Sequence, residues 1–347
     1  MSFLASLAVP SLLSYYAGRA LLGFSRLASS GLAALGGFGG MLWFARAQIQ
    51  GGHAFDRRYR KAADLRGKTV LITGATVGGL GHEAAKMLAA MGATIVVTVR
   101  SKEKGEAAVA ALGARASFVV LDFLSAASIR AGAAELKAKL QRLDVLVLNA
   151  GVGGLAEPAD AWMANHVGPF LLTDLLCPLL EATARAHGDV RVVAVSSHAH
   201  RDAFIDYARP YDRVKSKPDD EVAYGQSKLA QIMHMRALQR RLRAKPGLDG
   251  ERAVRCLSVS PGVAFTNIMA FIPAPFRPLC WLLFRSPAVG AQVIKMASID
   301  ADVAGGAFLS NCCVERSAGA DDCSNKPDEC EKLWALSEAC AADGRFP

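Results

Sequence analysis

Residues 68–100 read KTVLITGATVGGLGHEAAKMLAAMGATIVVTVR, and this stretch decides the fold. An apolar run is followed by a glycine-rich turn, an alanine-rich segment that ends at Gly92, and a second apolar run. Continuous apolar runs are typical of strands that are buried on both faces of a sheet. Two such strands joined by a helix form a parallel βαβ unit with a right-handed crossover.

The same alternation continues along the chain. Four further apolar runs, each separated from the next by segments of helical pattern, are ASFVVLDF, LDVLVLNAG, DVRVVAVSS and AVRCLSVSPG. Six strands with helices between them predict an α/β fold, a Rossmann-type doubly wound parallel sheet. Ligands of such sheets bind at the carboxyl ends of the strands, so the residues that close each run are candidates for the site.

The N-terminus has a different composition. The first 55 residues contain no Asp or Glu, and residues 1–18 and 27–45 carry no charge. Each run is close to the roughly 20 residues that span a bilayer. Gly36 and Gly40 form a small-xxx-small pair suited to helix packing in lipid, and a basic segment follows. We expect a membrane anchor of one or two helices, in the mitochondrial inner membrane or the endoplasmic reticulum membrane. A mitochondrial presequence and a flexible soluble tail are the alternatives.

The net charge of +9 raises the question of nucleic acid. The basic residues are spread along the chain without an aromatic-interleaved motif, so we expect no nucleic-acid partner.

The glycine-rich turn suits a phosphate group. Backbone N–H groups at a helix N-terminus bind pyrophosphate, and glycine lets the ligand approach closely. The candidate positions are Gly74, Gly78, Gly79, Leu80 and Gly81. A tight turn without a ligand is the alternative.

Several short motifs follow the strands in order. LNAG (148–151), VSS (195–197) and SPG (260–262) each close a strand, and YGQSKLA (224–230) is predicted to open a helix. NHVGPFLLT spans 165–173. This ordered set resembles the short-chain dehydrogenase/reductase family. It is most similar to the retinol-dehydrogenase-like branch, which includes protochlorophyllide oxidoreductase. The resemblance covers about residues 65–309.

The resemblance implies a catalytic tetrad of Asn165, Ser197, Tyr224 and Lys228. Tyr224 and Lys228 are i and i+4 on one helix face, and a nearby ammonium lowers the pKa of a phenol. Tyr224 would then exchange a proton with the substrate oxygen, which Ser197 would hydrogen-bond. Motif position favours Ser197 over Ser196. Asn165 would link Lys228 to a water-borne proton relay.

The residues after the second strand indicate which nicotinamide cofactor is used. An NAD site usually has an acid there, whereas this chain has Arg100 and Lys102, which suit a 2′-phosphate. We therefore expect NADP(H) rather than NAD(H). Solvated surface charges are the alternative. By resemblance, the remaining cofactor contacts are Asp122, Asn149, Ala150, Gly151, Pro261, Gly262 and Thr266, together with Tyr224 and Lys228.

The first turn carries one residue more than the family's TGxxxGxG pattern. If Gly79 to Gly81 replace the family's GxG, the residues before them must bulge, and Gly78 can accept positive φ at little cost. We predict a nucleotide-competent turn whose N–H groups near Leu80 and Gly81 face the pyrophosphate.

These features predict four regions: an anchor (1–47), a basic linker (48–66), a Rossmann-fold dehydrogenase domain (67–311) and a Cys-rich tail with a helix (312–347). The predicted function is NADP(H)-dependent oxidation or reduction of an alcohol or carbonyl. By resemblance, the apolar stretch after Thr266 is a substrate lid, which indicates a retinoid-, steroid- or lipid-like substrate, or contact with the bilayer. An ordinary core helix broken by prolines is the alternative. The alternative is an accessory subunit of a membrane complex, with the glycine-rich anchor packed against other subunits.

Five of the eight cysteines lie between Cys312 and Cys340. Two C-x9-C pairs resemble the helical hairpins of the mitochondrial intermembrane space, which would imply Cys313–Cys340 and Cys323–Cys330 disulfides. Free thiols are the alternative. The cysteine spacing lacks the C-x2-C pattern of zinc sites, and we expect no metal.

Overall fold

The computed structural model describes residues 45–46, 59–153, 157–208, 219–250, 253–269, 272–315 and 323–343. The predicted anchor lies outside the described residues except for Ala45 and Arg46, as does most of the predicted linker.

An eight-stranded sheet forms the centre of the molecule, in the order β3-β2-β1-β4-β5-β6-β7-β8. Every pair is parallel except β7 and β8, which are antiparallel. The strands are β1 (Thr69–Thr73), β2 (Thr94–Val99), β3 (Ala116–Val120), β4 (Val145–Leu148), β5 (Val190–Val195), β6 (Val254–Ser260), β7 (Phe308–Ser310) and β8 (Cys313–Val314). The six predicted strands are all present, and the doubly wound parallel sheet is confirmed.

Helices cover both faces of the sheet. They are α1 (Leu80–Ala90), α2 (Lys102–Leu112), α3 (Ala126–Lys139), α4 (Pro158–Trp162), α5 (Gly168–His187), α6 (Asp219–Arg243), α7 (Arg277–Leu283), α8 (Pro287–Gly290), α9 (Gln292–Ile299) and α10 (Pro327–Asp343). A π-helical turn, Met163–Val167, joins α4 to α5. Two apolar cores result, one on each face, because β1, β4, β5 and β6 are apolar on both sides.

One described stretch, Pro158–His187, is long and apolar enough to cross a membrane. Its apolar side chains, among them Phe170, Leu172, Leu176 and Leu180, belong to the core between α5 and the sheet. Burial inside the protein therefore accounts for its composition.

The two ends of the described chain pack onto this framework. On the N-terminal side, Lys61 pairs with Asp300 (2.9 Å) and Asp302 (2.6 Å) after α9. On the C-terminal side, α10 packs against α5 and α6, and Trp334 contacts Phe170 edge to face at 4.9 Å. The predicted helix of the tail is present as α10. The division of the chain into four regions stays a prediction.

Candidate active site

The sheet reverses its winding between β1 and β4, and a cleft opens there at the carboxyl ends of the strands. Thr73 holds the two strands together, because its hydroxyl accepts hydrogen bonds from the N–H groups of Asn149 (3.0 Å) and Ala150 (2.9 Å). The Asn149 amide donates to the carbonyls of Thr73 (2.8 Å) and Gly74 (3.2 Å). Asn149, Ala150 and Gly151 therefore line the floor of the cleft.

The glycine-rich turn lies against this floor with almost no spare room. A Cβ atom on Gly74 would lie 2.7 Å from Ala150 Cα, and one on Gly81 would lie 2.4 Å from Asn149 Nδ2. Such distances are too short for any side chain, so the two glycines are required by packing.

The extra residue of the turn is accommodated as a bulge. Gly79 N–H donates to the Thr76 carbonyl (3.0 Å), and Gly78 between them has φ of +81°. Val77 is pushed outward and is 50% exposed. The prediction that Gly78 takes up positive φ is confirmed.

Helix α1 begins directly after the bulge, with Gly79 as its N-cap and Leu80 as its first residue. In the part of the chain that the structure describes, no side chain caps this helix. The first-turn N–H groups of an α-helix lack intrahelical partners, so those of Leu80 and Gly81 are suited to an anion.

The predicted catalytic residues converge across the cleft from the turn. Ser197 follows β5, and its hydroxyl shares a hydrogen bond with that of Tyr224 on α6. The neighbouring Ser196 is buried, and its hydroxyl donates to the Lys228 carbonyl (2.7 Å). Ser196 thus fixes α6 to β5, whereas Ser197 faces Tyr224. Helix α6 begins at Asp219, so Tyr224 lies in its second turn, not at its start as the sequence suggested.

Lys228 is buried beneath Tyr224, with Nζ 5.4 Å from the centre of the phenol ring. Nζ donates to the Val195 carbonyl (3.0 Å) and to Gln231 Oε1 (3.2 Å). Gln231 Nε2 in turn donates to the Asn165 carbonyl (2.6 Å). The Gln231 amide therefore connects Lys228 to Asn165 directly.

Asn165 lies in the π-helical turn, a feature frequent at functional sites. Its side-chain Oδ1 accepts from Val152 N–H (2.8 Å), and Nδ2 donates to Ser227 Oγ (3.0 Å). A Cβ atom on Gly151 would lie 2.7 Å from Asn165 Oδ1 and 3.5 Å from Lys228 Nζ. The absence of a side chain at Gly151 therefore leaves room for the side chains of Asn165 and Lys228 at the end of β4.

Burial dominates the ionisation of this group. It lowers the pKa of Lys228 from 10.5 to about 7. Burial also raises the pKa of Tyr224, and the hydrogen bond with Ser197 opposes that rise. We expected Lys228 to lower the pKa of Tyr224, but burial raises it instead. A lysine with a pKa near 7 carries its full charge only below neutral pH, so its help to a phenolate is weak.

The residues predicted to contact the adenosine part of the cofactor follow β2 and β3. Arg100 follows β2 and is exposed, and Ser101 caps α2 by accepting from Lys104 N–H (3.5 Å). Lys102 is also exposed and lies 3.7 Å from Glu106. Asp122 follows β3, and its Oδ1 accepts from Leu124 N–H (3.1 Å). Two basic side chains thus stand at the start of α2, beside the end of β2.

The loop after β6 closes the opposite side of the cleft. Gly262 has φ of +72°, and Thr266 begins a short 3₁₀ turn. The next residue, Asn267, donates to the Val77 carbonyl (3.1 Å), so this loop touches the bulge of the first turn. Behind the loop, buried Arg285 donates to the Pro261 carbonyl (3.2 Å) and to Asn311 Oδ1 (3.1 Å).

Histidines and cysteines outside the tetrad are held by hydrogen bonds and by packing. His200 Nδ1 lies 2.6 Å from the Ser197 carbonyl, and His234 packs among aromatic side chains, which lowers its pKa to about 3 through burial. Cys330 is a buried free thiol. The side chain of Cys323 is outside the described residues, and the Cys313–Cys340 pairing stays a prediction.

Comparison with known proteins agrees with this geometry. The sequence model of the short-chain dehydrogenases matches residues 68–275. The chain belongs to the short-chain dehydrogenase/reductase family. Its relatives place it in the retinol-dehydrogenase-like branch. Dehydrogenase/reductase SDR family member 13 of Bos taurus is 35% identical over 82% of this chain and 76% of its own length. Human retinol dehydrogenase 13 is 31% identical over 88% and 92%.

Two further similarities extend the comparison. Mouse polyprenol dehydrogenase is 32% identical over 78% of this chain and 82% of its own length. The crystal structure of an uncharacterized protein from Mycobacterium paratuberculosis has 29% identity and a TM-score of 0.63, covering 83% of this chain and 97% of that one. The family consists of oxidoreductases with a nicotinamide cofactor, and this chain is one of them.

The cleft fits such a cofactor on its own geometry. The start of α1 offers uncapped N–H groups that suit the pyrophosphate, and the close packing of Gly74 and Gly81 on Ala150 and Asn149 holds that helix start at the cleft. The tetrad lies across the cleft from this helix start.

Sequence reasoning missed several residues that build the site. Gln231, Ser227, Thr73 and Arg285 were not among the candidates, although each contacts one of them. Ser227 lies within the YGQSKLA motif and Gln231 directly follows it. Their position within one turn of Lys228 on the same helix could have indicated that they contact the site.

Proposed function

We propose that this protein is an NADP(H)-dependent, membrane-anchored oxidoreductase that interconverts the alcohol and carbonyl forms of an apolar substrate. The observation that carries the proposal is the convergence of Ser197, Tyr224 and Lys228 with Asn165, opposite an uncapped helix start. An accessory subunit would need the fold but not four polar side chains held together in a cleft.

The residues divide the work as follows. The Ser197 hydroxyl orients the substrate oxygen and stabilises charge that develops on it. Tyr224 donates its proton to that oxygen in reduction and receives one in oxidation. Lys228 holds the cofactor ribose beneath Tyr224, and the Asn165 carbonyl fixes Lys228 through Gln231. The nicotinamide, when bound, supplies or accepts the hydride.

The preference for NADP(H) rests on Arg100 and Lys102. A guanidinium at the end of β2 can pair with a 2′-phosphate, and no acidic side chain precedes Glu103 to bind the ribose hydroxyls of NAD(H). Asp122 is proposed to contact the adenine, and Pro261, Gly262 and Thr266 the nicotinamide carboxamide.

The substrate class rests on the lid and on the relatives. Two relatives are named for the oxidation of retinol and polyprenol, both long apolar alcohols. The lid of this chain (272–284) carries only one charged residue, Arg277. We propose a retinoid- or polyisoprenoid-like substrate, with residues 1–47 as the membrane anchor. The mitochondrial inner membrane and the endoplasmic reticulum membrane remain the two predicted locations.

Purified full-length protein in detergent or vesicles would test the function. Nucleotide binding is measured by NADPH fluorescence, and turnover by loss of NADPH absorbance with a retinoid aldehyde. We expect binding by the wild type and by Tyr224→Phe, and turnover by the wild type only. Binding without turnover of any apolar alcohol or aldehyde would favour the accessory-subunit alternative.

A further inference from the structure

The inner face of the lid packs against the rest of the protein, and the outer face is exposed. On the inner face, Cys280 and Phe284 are buried and form a small apolar cluster with Ile272. Val263 and Phe265 of the loop after β6 pack against this cluster. The inner face therefore ties the lid to the wall of the cleft.

The outer face carries four exposed apolar side chains, which we call the lid patch. Their exposed fractions are 48% for Phe276, 46% for Leu279, 76% for Trp281 and 48% for Leu282. Single exposed apolar residues are ordinary, whereas several on one short element indicate a contact surface. These four lie within seven residues, in or directly before the short helix α7, and Trp281 is three-quarters exposed.

The place where the N-terminal segment joins the domain is next to the lid. The Tyr59 N–H group hydrogen-bonds the Cys312 sulfur in the turn after β7. The preceding residue, Asn311, accepts from Arg285, which directly follows the lid. Two hydrogen bonds thus connect the end of the lid to the start of the described domain. The 58 residues before Tyr59 include two charge-free runs of bilayer-spanning length.

The arginines near the lid and the tryptophan of the lid patch both suit a lipid surface. Arg277 lies at the start of the lid helix α7, and the exposed Arg60 follows Tyr59 at the start of the domain. In the sequence, Arg57 and Arg58 directly precede Tyr59. A basic side chain beside an apolar surface suits anionic lipid headgroups, and tryptophan is enriched at the membrane–water interface.

We propose that the lid patch docks into the bilayer that holds the N-terminal segment, and that apolar substrate passes from the lipid into the cleft beneath the lid. The docking is independent of catalysis, whereas the substrate route rests on the proposed function. The inner cluster and the side chains of Val263 and Phe265 supply apolar surface for this route between the lid and the loop after β6.

Tryptophan fluorescence tests the docking directly. The chain contains four tryptophans, of which Trp162 and Trp334 are buried and Trp43 lies in the predicted anchor. A Trp43→Phe variant in phosphatidylcholine–phosphatidylserine vesicles therefore reports on the lid. We expect brominated phosphatidylcholine to remove most of the emission that is lost in the additional Trp281→Phe variant, and iodide in the water to leave it unchanged.

Val120→Trp in the Trp43→Phe, Trp281→Phe background is the matched control. Val120 is 45% exposed at the end of β3, on the opposite edge of the sheet. A tryptophan there should be quenched by iodide and not by brominated lipid. The proposal is overturned if Trp281 behaves like this control. It is also overturned if Trp281 is shielded from both quenchers, because the N-terminal segment or another protein would then cover the patch.

A second measurement separates the route from the function. Trp281→Ser should raise KM for a retinoid aldehyde dissolved in vesicles, and leave KM for a short water-soluble aldehyde unchanged. An equal change for both substrates would overturn the route. Absence of turnover with every aldehyde would instead contradict the proposed function, while the quenching result would still decide the docking.

Discussion

Replacing Lys228 by methionine should alter how the stability of the free protein depends on pH. The pKa of Lys228 falls from 10.5 to about 7 because the ammonium is buried. Between these two pH values the unfolded state binds more protons than the folded state, so the stability of the wild type rises with pH in this window. Below about pH 7 both states are protonated, and the folded state bears the whole cost of the buried charge.

The magnitude follows from the shift. One pKa unit corresponds to about 1.4 kcal/mol, so the cost at low pH is on the order of 5 kcal/mol. By the same linkage, about 2 kcal/mol of that cost is removed between about pH 6 and about pH 8.5. Methionine at 228 has no proton to bind. The unfolding free energy of the wild type minus that of Lys228→Met should therefore rise by about 2 kcal/mol over this range.

Denaturant unfolding of both proteins at several pH values, followed by circular dichroism, gives this difference directly. Lys137→Met is the matched control, because Lys137 is an exposed lysine in the last turn of α3. Its difference from the wild type gives the baseline at each pH. A Lys228→Met difference that runs parallel to this baseline would refute the reasoning, since it would mean that Lys228 keeps an ordinary pKa in the folded protein.

Three further substitutions, two of them with matched controls, test separate parts of the site. Gln231→Glu places a carboxylate at the position that now accepts a hydrogen bond from Lys228 Nζ (3.2 Å). The carboxylate should raise the pKa of Lys228, so the rise in stability should occur about one pH unit or more higher. The control Gln231→Met should not move the rise to higher pH. Arg100→Ala should weaken NADPH binding roughly 10- to 100-fold in a fluorescence titration and leave NADH binding unchanged; equal effects on both would contradict the 2′-phosphate assignment. Gly78→Ala, at φ of +81°, should cost about 1 kcal/mol of stability and weaken nucleotide binding. Gly113→Ala, at φ of +90° with nothing within 4 Å, should share the stability cost without the binding loss.

The central sheet could be predicted from sequence because its strands are continuous apolar runs. β7 and β8 were missed because they have three and two residues, too few to show a period. They form by pairing with β6 and with each other, which is information that only the folded sheet contains.

The identity of the catalytic group could also be predicted, since Tyr224 and Lys228 lie one turn apart on a helix. The link from Lys228 to Asn165 through Gln231 could not, because it depends on α6 packing against the π-helical turn. The pKa of Tyr224 was predicted in the wrong direction for a related reason. Sequence spacing shows which charges are near a group but not how deeply the group is buried, and here burial is the larger effect.

Transfer of deuterium from NADPH that carries deuterium in both positions at nicotinamide C4 tests the central claim most directly. The measurement uses full-length protein in vesicles, a retinoid aldehyde and mass spectrometry of the alcohol formed. We predict one deuterium in the alcohol produced by the wild type, and no labelled alcohol from Tyr224→Phe although this variant still binds NADPH. A wild-type protein that binds the nucleotide but labels no apolar alcohol would contradict the account.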